Sequence, residues 1–259
     1  MTKVTFEQML NAGVHFGHLK RKWNPSMSPY IFDEKKGIHV IDLNKTLIKL
    51  EEASNAMKQI AKSGRKILFV ATKKQAKEIM SNKVAEVNMP SITERWPGGL
   101  LTNFKTTRKT IKKMTSIDKM MKDGTADTMS KRERLQLTRK REKIDKIFGS
   151  ISDMNRLPAA IFIVDVKKEH IALAEARNLN IPIFAMVDTN SSPEGIDFVI
   201  PSNDDATKSI DLVVSNLCDS IKEGLGERKQ TKEKIAQEKL ASEAAKTEEN
   251  QVKKEEVKS

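Results

Sequence analysis

Strongly apolar segments of strand length recur along this chain. Three of them, at 66–71 (KILFVA), 159–164 (AAIFIV) and 183–187 (IFAMV), are apolar at nearly every position. A strand that is apolar on both sides must be covered on both sides, as in a parallel sheet with helices on each face. A further strand is predicted at 198–200, followed by a helix at 204–221, and segments with helical spacing separate the others. This pattern predicts an α/β fold, a doubly wound parallel sheet of about five strands.

The positive charge of the chain is concentrated in one segment. The whole sequence has 47 Lys+Arg and 35 Asp+Glu, a formal net charge of +12. Residues 105–156 contain sixteen basic and seven acidic residues, and therefore nine of the twelve surplus charges. A large basic surplus indicates an acidic partner, and nucleic acid is the commonest one.

The same segment interrupts the alternation of strands and helices. Its apolar residues are spaced as in two antiparallel helices, and in the second arm Leu137, Ile144 and Ile151 recur every seven residues. Ser130 is the predicted N-cap of that arm, after a turn at 123–127. We therefore predict that a basic coiled-coil hairpin, with Ile147 and Met154 also in its apolar seam, is inserted at 105–156.

The basic residues of this hairpin occur in clusters of one sign. A merely solvated helix face usually alternates positive and negative charges, whereas like charges this dense repel each other unless a polyanion neutralises them. RNA is favoured over DNA because the chain has no pattern of a DNA-binding motif and carries tryptophans beside basic residues, which could stack on exposed bases. Tryptophans also pack in cores, which is the alternative. The candidate RNA contacts are Arg21, Lys22, Trp23, Arg95, Trp96, Lys105, Arg108, Lys109, Lys112, Lys113, Lys131, Arg132, Arg134, Arg139, Lys140 and Arg141.

The two ends of the chain differ in character. At the N-terminus we predict a short helix with Thr5 as N-cap, then a polar and aromatic loop, a hairpin up to Ile41, and a long helix from Asp42 to Gly64. After Ile221 the sequence has ten basic and nine acidic residues with few apolar ones. We predict an α/β domain at 1–104 and 157–224, the hairpin at 105–156, and a charged, disordered tail at 225–259.

The sequence lacks the features that several classes of function require. The chain contains neither GxGxxG nor GxxxxGK[ST], the loops that hold nucleotide phosphates. The single cysteine, Cys218, lies at an apolar position of a predicted helix, where an inert thiol is expected. No apolar run is long enough to span a membrane, and the first residues are too polar for a secretory signal. We expect a protein of the cytoplasm that does not bind membranes.

A metal site is the main alternative chemistry. His15 and His18 could face Asp188, Asp204 and Asp205 if the N-terminal loop folds over the edge of the sheet. Imidazoles and carboxylates together suit zinc or another divalent ion. The other interpretation makes the aspartates caps of turns and helices. We favour this second interpretation and expect no cofactor, because HxxH in a loop is a weak signal.

Long stretches of the sequence resemble one family. They read AGVHFGHLKRKWNPSMSPYIF, GIHVIDLNKT, FVATKKQA, RWPGGLLTNFKT and IPIFAMVDTNSSPEGIDFVIPSNDDATKSI. In this order they resemble the bacterial ribosomal protein S-two family, from about Thr5 to Ile221. The chain departs from the family pattern at Ala71, Pro97, Ser192 and Ser202, and the missing acidic group at 192 weakens the metal hypothesis.

The resemblance implies a flavodoxin-like α/β domain with a protruding coiled-coil hairpin. It also implies a structural, non-catalytic constituent of the small ribosomal subunit in the cytoplasm. Its partners would be small-subunit ribosomal RNA and other subunit proteins, including the S-one protein that it helps to recruit, with neither DNA nor a second copy of the chain. The rival hypotheses are a cytoplasmic flavodoxin-like enzyme that binds a metal or ligand and a free messenger RNA regulator.

Overall fold

The fold is built on a five-stranded parallel sheet. The computed structural model describes residues 4–124 and 129–256, with side chains through 231 and at 233. In the sheet the strand order is β5-β4-β6-β7-β8. The strands are β4 (Ile67–Val70), β5 (Ser91–Ile92), β6 (Ala160–Val164), β7 (Ile183–Val187) and β8 (Phe198–Pro201). The predicted parallel sheet of about five strands is confirmed.

Helices cover both faces of this sheet. One core contains Phe69, Phe162 and Phe184 and is covered by helices α2 (Leu43–Ser63), α3 (Lys74–Glu86) and α7 (Thr207–Glu256). The second core lies on the other face, where Leu68 and Ile161 pack with α6 (His170–Asn178) and the start of α4 (Phe104–Lys122). Each strand therefore buries alternate side chains in different cores. This doubly wound arrangement confirms the predicted flavodoxin-like fold class.

The N-terminal segment forms a second, smaller sheet. Helix α1 (Phe6–Asn11) has Thr5 as its N-cap, as predicted. The strands β1 (Phe16–Leu19), β2 (Ile31–Lys35) and β3 (Ile38–Ile41) then form an antiparallel sheet in the order β1-β3-β2. The hairpin of β2 and β3 was predicted, but β1 was expected to be loop. Its short sequence, FGHL, lacks the alternation of apolar and polar residues that marks a strand.

The basic insertion contains two helices, α4 and α5 (Lys131–Phe148), that contact each other. Ser130 caps α5 in a capping box with Glu133, as predicted. Ile151 and Met154, however, do not extend the second arm, because α5 ends at Phe148 and both side chains are buried in the core beside the sheet. The heptad spacing therefore does not mark hairpin residues beyond Phe148, and the prediction that Ile151 and Met154 belong to the apolar seam was wrong. Coiled-coil packing of the two arms stays a prediction, and residues 125–127 of the predicted turn lie outside the described residues.

Helix α7 continues far beyond the predicted end of the α/β domain. Its backbone is helical to Glu256, where the sequence predicted a disordered tail from 225. Ala, Lys, Glu and Gln are strong helix formers, and neither Gly nor Pro follows Gly226. Just past residue 224, Glu227 forms ion pairs with Lys58 and Lys62 of α2, at 2.8 and 3.0 Å.

Two glycines of α7 provide a matched test of how α7 packs on α2. A Cβ atom at Gly224 would lie 2.5 Å from the carbonyl oxygen of Lys58, whereas one at Gly226 would meet nothing within 4 Å. We expect Gly224→Ala to lower the free energy of unfolding by about 1–3 kcal/mol, because the helices must move apart. Gly226→Ala should raise it by up to about 1 kcal/mol through helix propensity. Urea denaturation of both variants checks this, and equal effects would contradict the close contact.

Candidate functional site

One polar cluster lies at the carboxyl edge of the main sheet, where strands β7 and β8 end. The small sheet folds over this edge and is held there by Thr189. The backbone N–H of His18 donates to the Thr189 hydroxyl at 2.8 Å, and that of Asn24 donates to the Thr189 carbonyl at 2.8 Å. Gly17 permits this approach, because a Cβ there would lie 2.6 Å from the Thr189 methyl group. The contact carries His18 to the aspartates that follow the strands.

The cluster consists of His18, Asp188, Asp204 and Asp205. One possible ligand atom from each lies within 4.8 Å of the others. His18 bridges two carboxylates, with Nδ1 at 2.9 Å from Asp188 Oδ2 and Nε2 at 3.2 Å from Asp205 Oδ2. The Lys73 ammonium lies 2.7 Å from both Asp204 and Asp205. The structure thus brings His18 together with the three aspartates of the metal hypothesis, which was the less favoured interpretation of the sequence.

One buried oxygen of this cluster has neither a hydrogen-bond partner nor an ion-pair contact among the described residues. Asp204 is fully buried, and while its Oδ1 binds Lys73, no donor in the described part of the chain reaches its Oδ2. A buried carboxylate oxygen without a partner is costly. With Asp165, 3.6 Å from Lys73, four carboxylates surround two basic side chains. The cluster therefore has more acidic groups than it can pair internally.

The crowded carboxylates change the protonation of their neighbours. Burial, together with the negative charge of Asp188, raises the pKa of Asp204 to about 7 despite the opposing effect of Lys73. The hydrogen bond with Asp188 raises the pKa of His18 above its ordinary value, against the effect of burial. Burial would lower the pKa of Lys73, but its hydrogen bonds to Asp204 and Asp205 outweigh burial and raise it. Lys73 thus stays charged within the cluster.

His15 does not belong to this cluster, which corrects the five-residue metal hypothesis. Its ring packs on Phe16, with centroids 4.0 Å apart. It lines a groove of about 580 Å³ between α1 and the small sheet. His15 precedes β1 and lines this groove, whereas His18 lies within β1 and contacts Asp188 and Asp205. The groove is apolar and exposes Phe6, Phe16 and Phe32, the last to 76%.

Most of the candidate RNA contacts are exposed. Trp96 is the exception and a correction: it is only 6% exposed, so it cannot stack on a base. Arg141 and Arg108 are partly engaged, since Arg141 pairs with Asp118 of α4 at 2.9 Å and Arg108 donates to the Met154 carbonyl at 3.1 Å. The exposed candidates are Arg21, Lys22, Trp23, Arg95, Lys105, Lys109, Lys112, Lys113, Lys131, Arg132, Arg134, Arg139 and Lys140.

Glu175 of α6 is a buried residue that the sequence interpretation missed. Its carboxylate accepts hydrogen bonds from Trp96 Nε1 at 3.0 Å and from the backbone N–H groups of Gly99, Leu101 and Thr102 at 2.7, 2.9 and 3.1 Å. It therefore holds the turn that leads into α4. An acidic residue on the apolar face of a helix, between Ala172 and Ala176, was the signal that could have revealed it.

The buried thiol of Cys218 is not available for chemistry. Burial raises the pKa of the Cys218 thiol to about 12, so it stays protonated and unreactive. No helix among the described residues has the length and apolar character needed to cross a membrane. The site is therefore a polar edge, an apolar groove and a basic helical hairpin on one α/β scaffold.

Comparison with known proteins agrees with this architecture. The family model described as ribosomal protein S2 matches residues 9–224. The chain is similar to small ribosomal subunit protein uS2 of Azobacteroides pseudotrichonymphae, with 64% identity over 88% of this chain and 87% of the relative. It is 62% identical to uS2 of Parabacteroides distasonis over 90% and 84% of the two chains, and 62% identical to uS2 of Flavobacterium johnsoniae over 89% and 91%.

These matches define the class as structural proteins of the small ribosomal subunit, which serve translation and are not enzymes. Within that class the chain belongs to the ribosomal protein S2 family. The rival hypothesis of a flavodoxin-like enzyme is therefore wrong.

Proposed function

We propose that the chain binds small-subunit ribosomal RNA through its basic hairpin. The observation that carries this proposal is the run of exposed lysines and arginines on α4 and α5, in a segment with nine surplus positive charges. Phosphate contacts by such side chains provide affinity without sequence specificity. Lys146 near the end of α5 lies 3.9 Å from Glu94, which puts the exposed Arg95 beside the base of the hairpin. The exposed Trp23 remains available for stacking on a base.

The proposed role includes recruitment of the S-one protein. The groove between α1 and the small sheet supports a protein partner there, because its walls carry exposed phenylalanines, alongside Lys35 and Lys36. An apolar patch of this kind is typical of a protein interface. The hairpin and the groove thus divide the RNA and protein contacts between two surfaces.

A sucrose gradient of a gentle cell extract in magnesium buffer tests this function. We expect this chain to co-sediment with small subunits and whole ribosomes by immunoblot, and S-one protein to be present in the same fractions. Stripping the RNA with nuclease should release the chain to the top of the gradient. Recovery only at the top before nuclease treatment would contradict the proposal, and binding to free messenger RNA alone would favour the regulator hypothesis.

The cluster at the carboxyl edge suggests a bound divalent ion. The unpartnered, fully buried Asp204 Oδ2 and the excess of carboxylates support this, since a cation would supply the missing positive charge. One imidazole and three carboxylates suit zinc or a similar ion. His18, Asp188, Asp204 and Asp205 would hold it, and its chemistry here would be structural, fixing the small sheet to the main one.

Metal analysis of the purified protein tests this site. After dialysis against zinc and removal of excess, we expect about one zinc per chain and a higher Tm than in the chelated protein. A variant with His18→Ala and Asp188→Asn should lose both effects, because it removes two of the four ligands. The control variant His15→Ala should keep both, since His15 lies outside the cluster. Equal zinc in the two variants would contradict the site.

A further inference from the structure

A second basic surface lies at the opposite, amino edge of the main sheet. It is a groove of about 570 Å³ between the C-terminal ends of α2 and α3 and the middle of α7. Its floor is apolar, with Val87 and Met89 buried. We name it the amino-edge groove. Its charged lining residues are Arg65, Lys66, Glu86, Lys222, Arg228 and Lys229.

Three of the basic residues in the groove contact partners within the fold, and these contacts account for their positive charge. Lys222 pairs with Glu86 at 2.7 Å, and Lys66 donates to the backbone carbonyl of Asn88. The guanidinium of Arg228 covers Gly64, where α2 ends and its carbonyl groups favour a positive charge. Arg65 and Lys229 are different, because both are exposed and neither forms an ion pair with any residue that the structure describes. The groove therefore holds positive charge that the fold itself does not use.

The amino-edge groove is continuous with the base of the basic hairpin. Lys66, Asn88 and Met89 also line a small cleft whose other wall is formed by Ser150, Asp153 and Met154. Those three residues follow α5 directly, and Arg108 of α4 donates to the carbonyl of Met154. A polyanion that follows the hairpin to its base would thus reach the groove through this cleft, whose lining contains one acidic residue, Asp153.

We propose that the amino-edge groove binds the phosphate backbone of the same ribosomal RNA, through Arg65 and Lys229. This inference rests on the proposed RNA binding of the hairpin and extends it to a second surface on the α/β domain. An RNA backbone is the favoured occupant because five of the six charged lining residues are basic and the groove is continuous with the hairpin, so that it neutralises successive phosphates. An acidic protein segment is the competing occupant.

Binding of full-length small-subunit ribosomal RNA transcript, measured over a range of salt concentrations, tests this inference. The groove variant is Arg65→Gln with Lys229→Gln, which leaves Arg228, Lys66 and Lys222 in their structural contacts. We expect about tenfold weaker binding near 150 mM salt, with the salt slope reduced by about one to two, since each lost phosphate contact removes about 0.7–0.9. The control, Lys167→Gln with Lys208→Gln, removes two exposed charges at the carboxyl edge and should bind within about twofold of the parent.

The outcomes separate the two proposals. If the parent chain does not bind the transcript with a salt-dependent affinity, RNA binding itself is wrong. If the parent binds but the groove variant binds as tightly, or loses no more than the control variant, the groove inference alone is overturned. Normal RNA binding combined with loss of the groove variant from assembled subunits would assign the groove to a protein partner and also overturn it. Each variant must have the same melting curve as the parent chain, because a loss of structure would also weaken binding.

Discussion

Replacing Glu175 with alanine will lower the free energy of unfolding by about 3–5 kcal/mol. Glu175 is 6% exposed, and its carboxylate accepts hydrogen bonds from Trp96 Nε1 and from the backbone N–H groups of Gly99, Leu101 and Thr102. Removal leaves several buried donors without partners, and each such donor costs about 1–3 kcal/mol. Because the same turn starts α4, the hairpin should also lose its fixed direction. Urea denaturation followed by far-UV circular dichroism measures the change.

Two companion variants make this result specific. Glu175→Gln keeps the size of the side chain but replaces one accepting oxygen with an NH₂ group, so it should destabilise less than Glu175→Ala. Glu142→Ala removes an exposed carboxylate on α5 and should change stability by less than about 0.5 kcal/mol. A Glu175→Ala variant as stable as Glu142→Ala would show that these hydrogen bonds do not stabilise the fold.

The contribution of Glu175 to the free energy of unfolding should decrease as the pH is lowered. Burial tends to raise the pKa of Glu175, but the hydrogen bonds from Trp96 and the backbone outweigh it and hold the pKa below its ordinary value of 4.5. A carboxyl whose pKa is lower in the folded state stabilises the fold above the unfolded pKa and loses this effect as the pH falls. The stability difference between the parent and Glu175→Gln should therefore be constant from pH 7 to about 5 and shrink below about 4.5. A difference that grows on acidification would contradict this assignment.

Neutralising four exposed residues of the hairpin will weaken binding to small-subunit ribosomal RNA by about 10²-fold near 150 mM salt. The variant changes Lys131, Arg132, Arg139 and Lys140 to glutamine. Arg141 is kept, because its ion pair with Asp118 links α5 to α4. The salt slope of the binding constant should fall by about three, since each phosphate contact contributes about 0.7–0.9. Filter binding over 50–300 mM salt measures both quantities.

Controls separate loss of contacts from loss of structure. The quadruple variant should keep the melting temperature of the parent, because the four side chains are exposed. Arg141→Gln should instead loosen the pairing of the two arms while removing only one charge. If the quadruple variant retains the salt slope of the parent, the hairpin does not carry the phosphate contacts.

The sequence alone was sufficient for the elements with strong local signals. Apolar runs such as 160–164 predict buried parallel strands because only a doubly covered sheet can use them. Capping residues such as Thr5 and Ser130 marked helix starts correctly, because their side chains accept hydrogen bonds from N–H groups three residues away. The concentration of charge in 105–156 was likewise visible, since net charge needs no knowledge of the fold.

Other features depend on contacts between distant parts of the chain. Strand β1 forms because it pairs with β3, and Trp96 is buried because Glu175, 79 residues away, receives its N–H. The metal candidates illustrate the same limit: two histidines three residues apart read alike in sequence, yet only His18 reaches the aspartates.

The strongly apolar strands, the capped helix starts and the basic segment follow from the sequence alone, because periodicity, capping and charge are local properties. The three-dimensional contacts were needed to establish which polar residues share one site, which basic residues already have partners, and where α5 ends and the core begins. Those properties depend on distances between residues far apart in the chain, and a single sequence records residue types and spacings but not such distances.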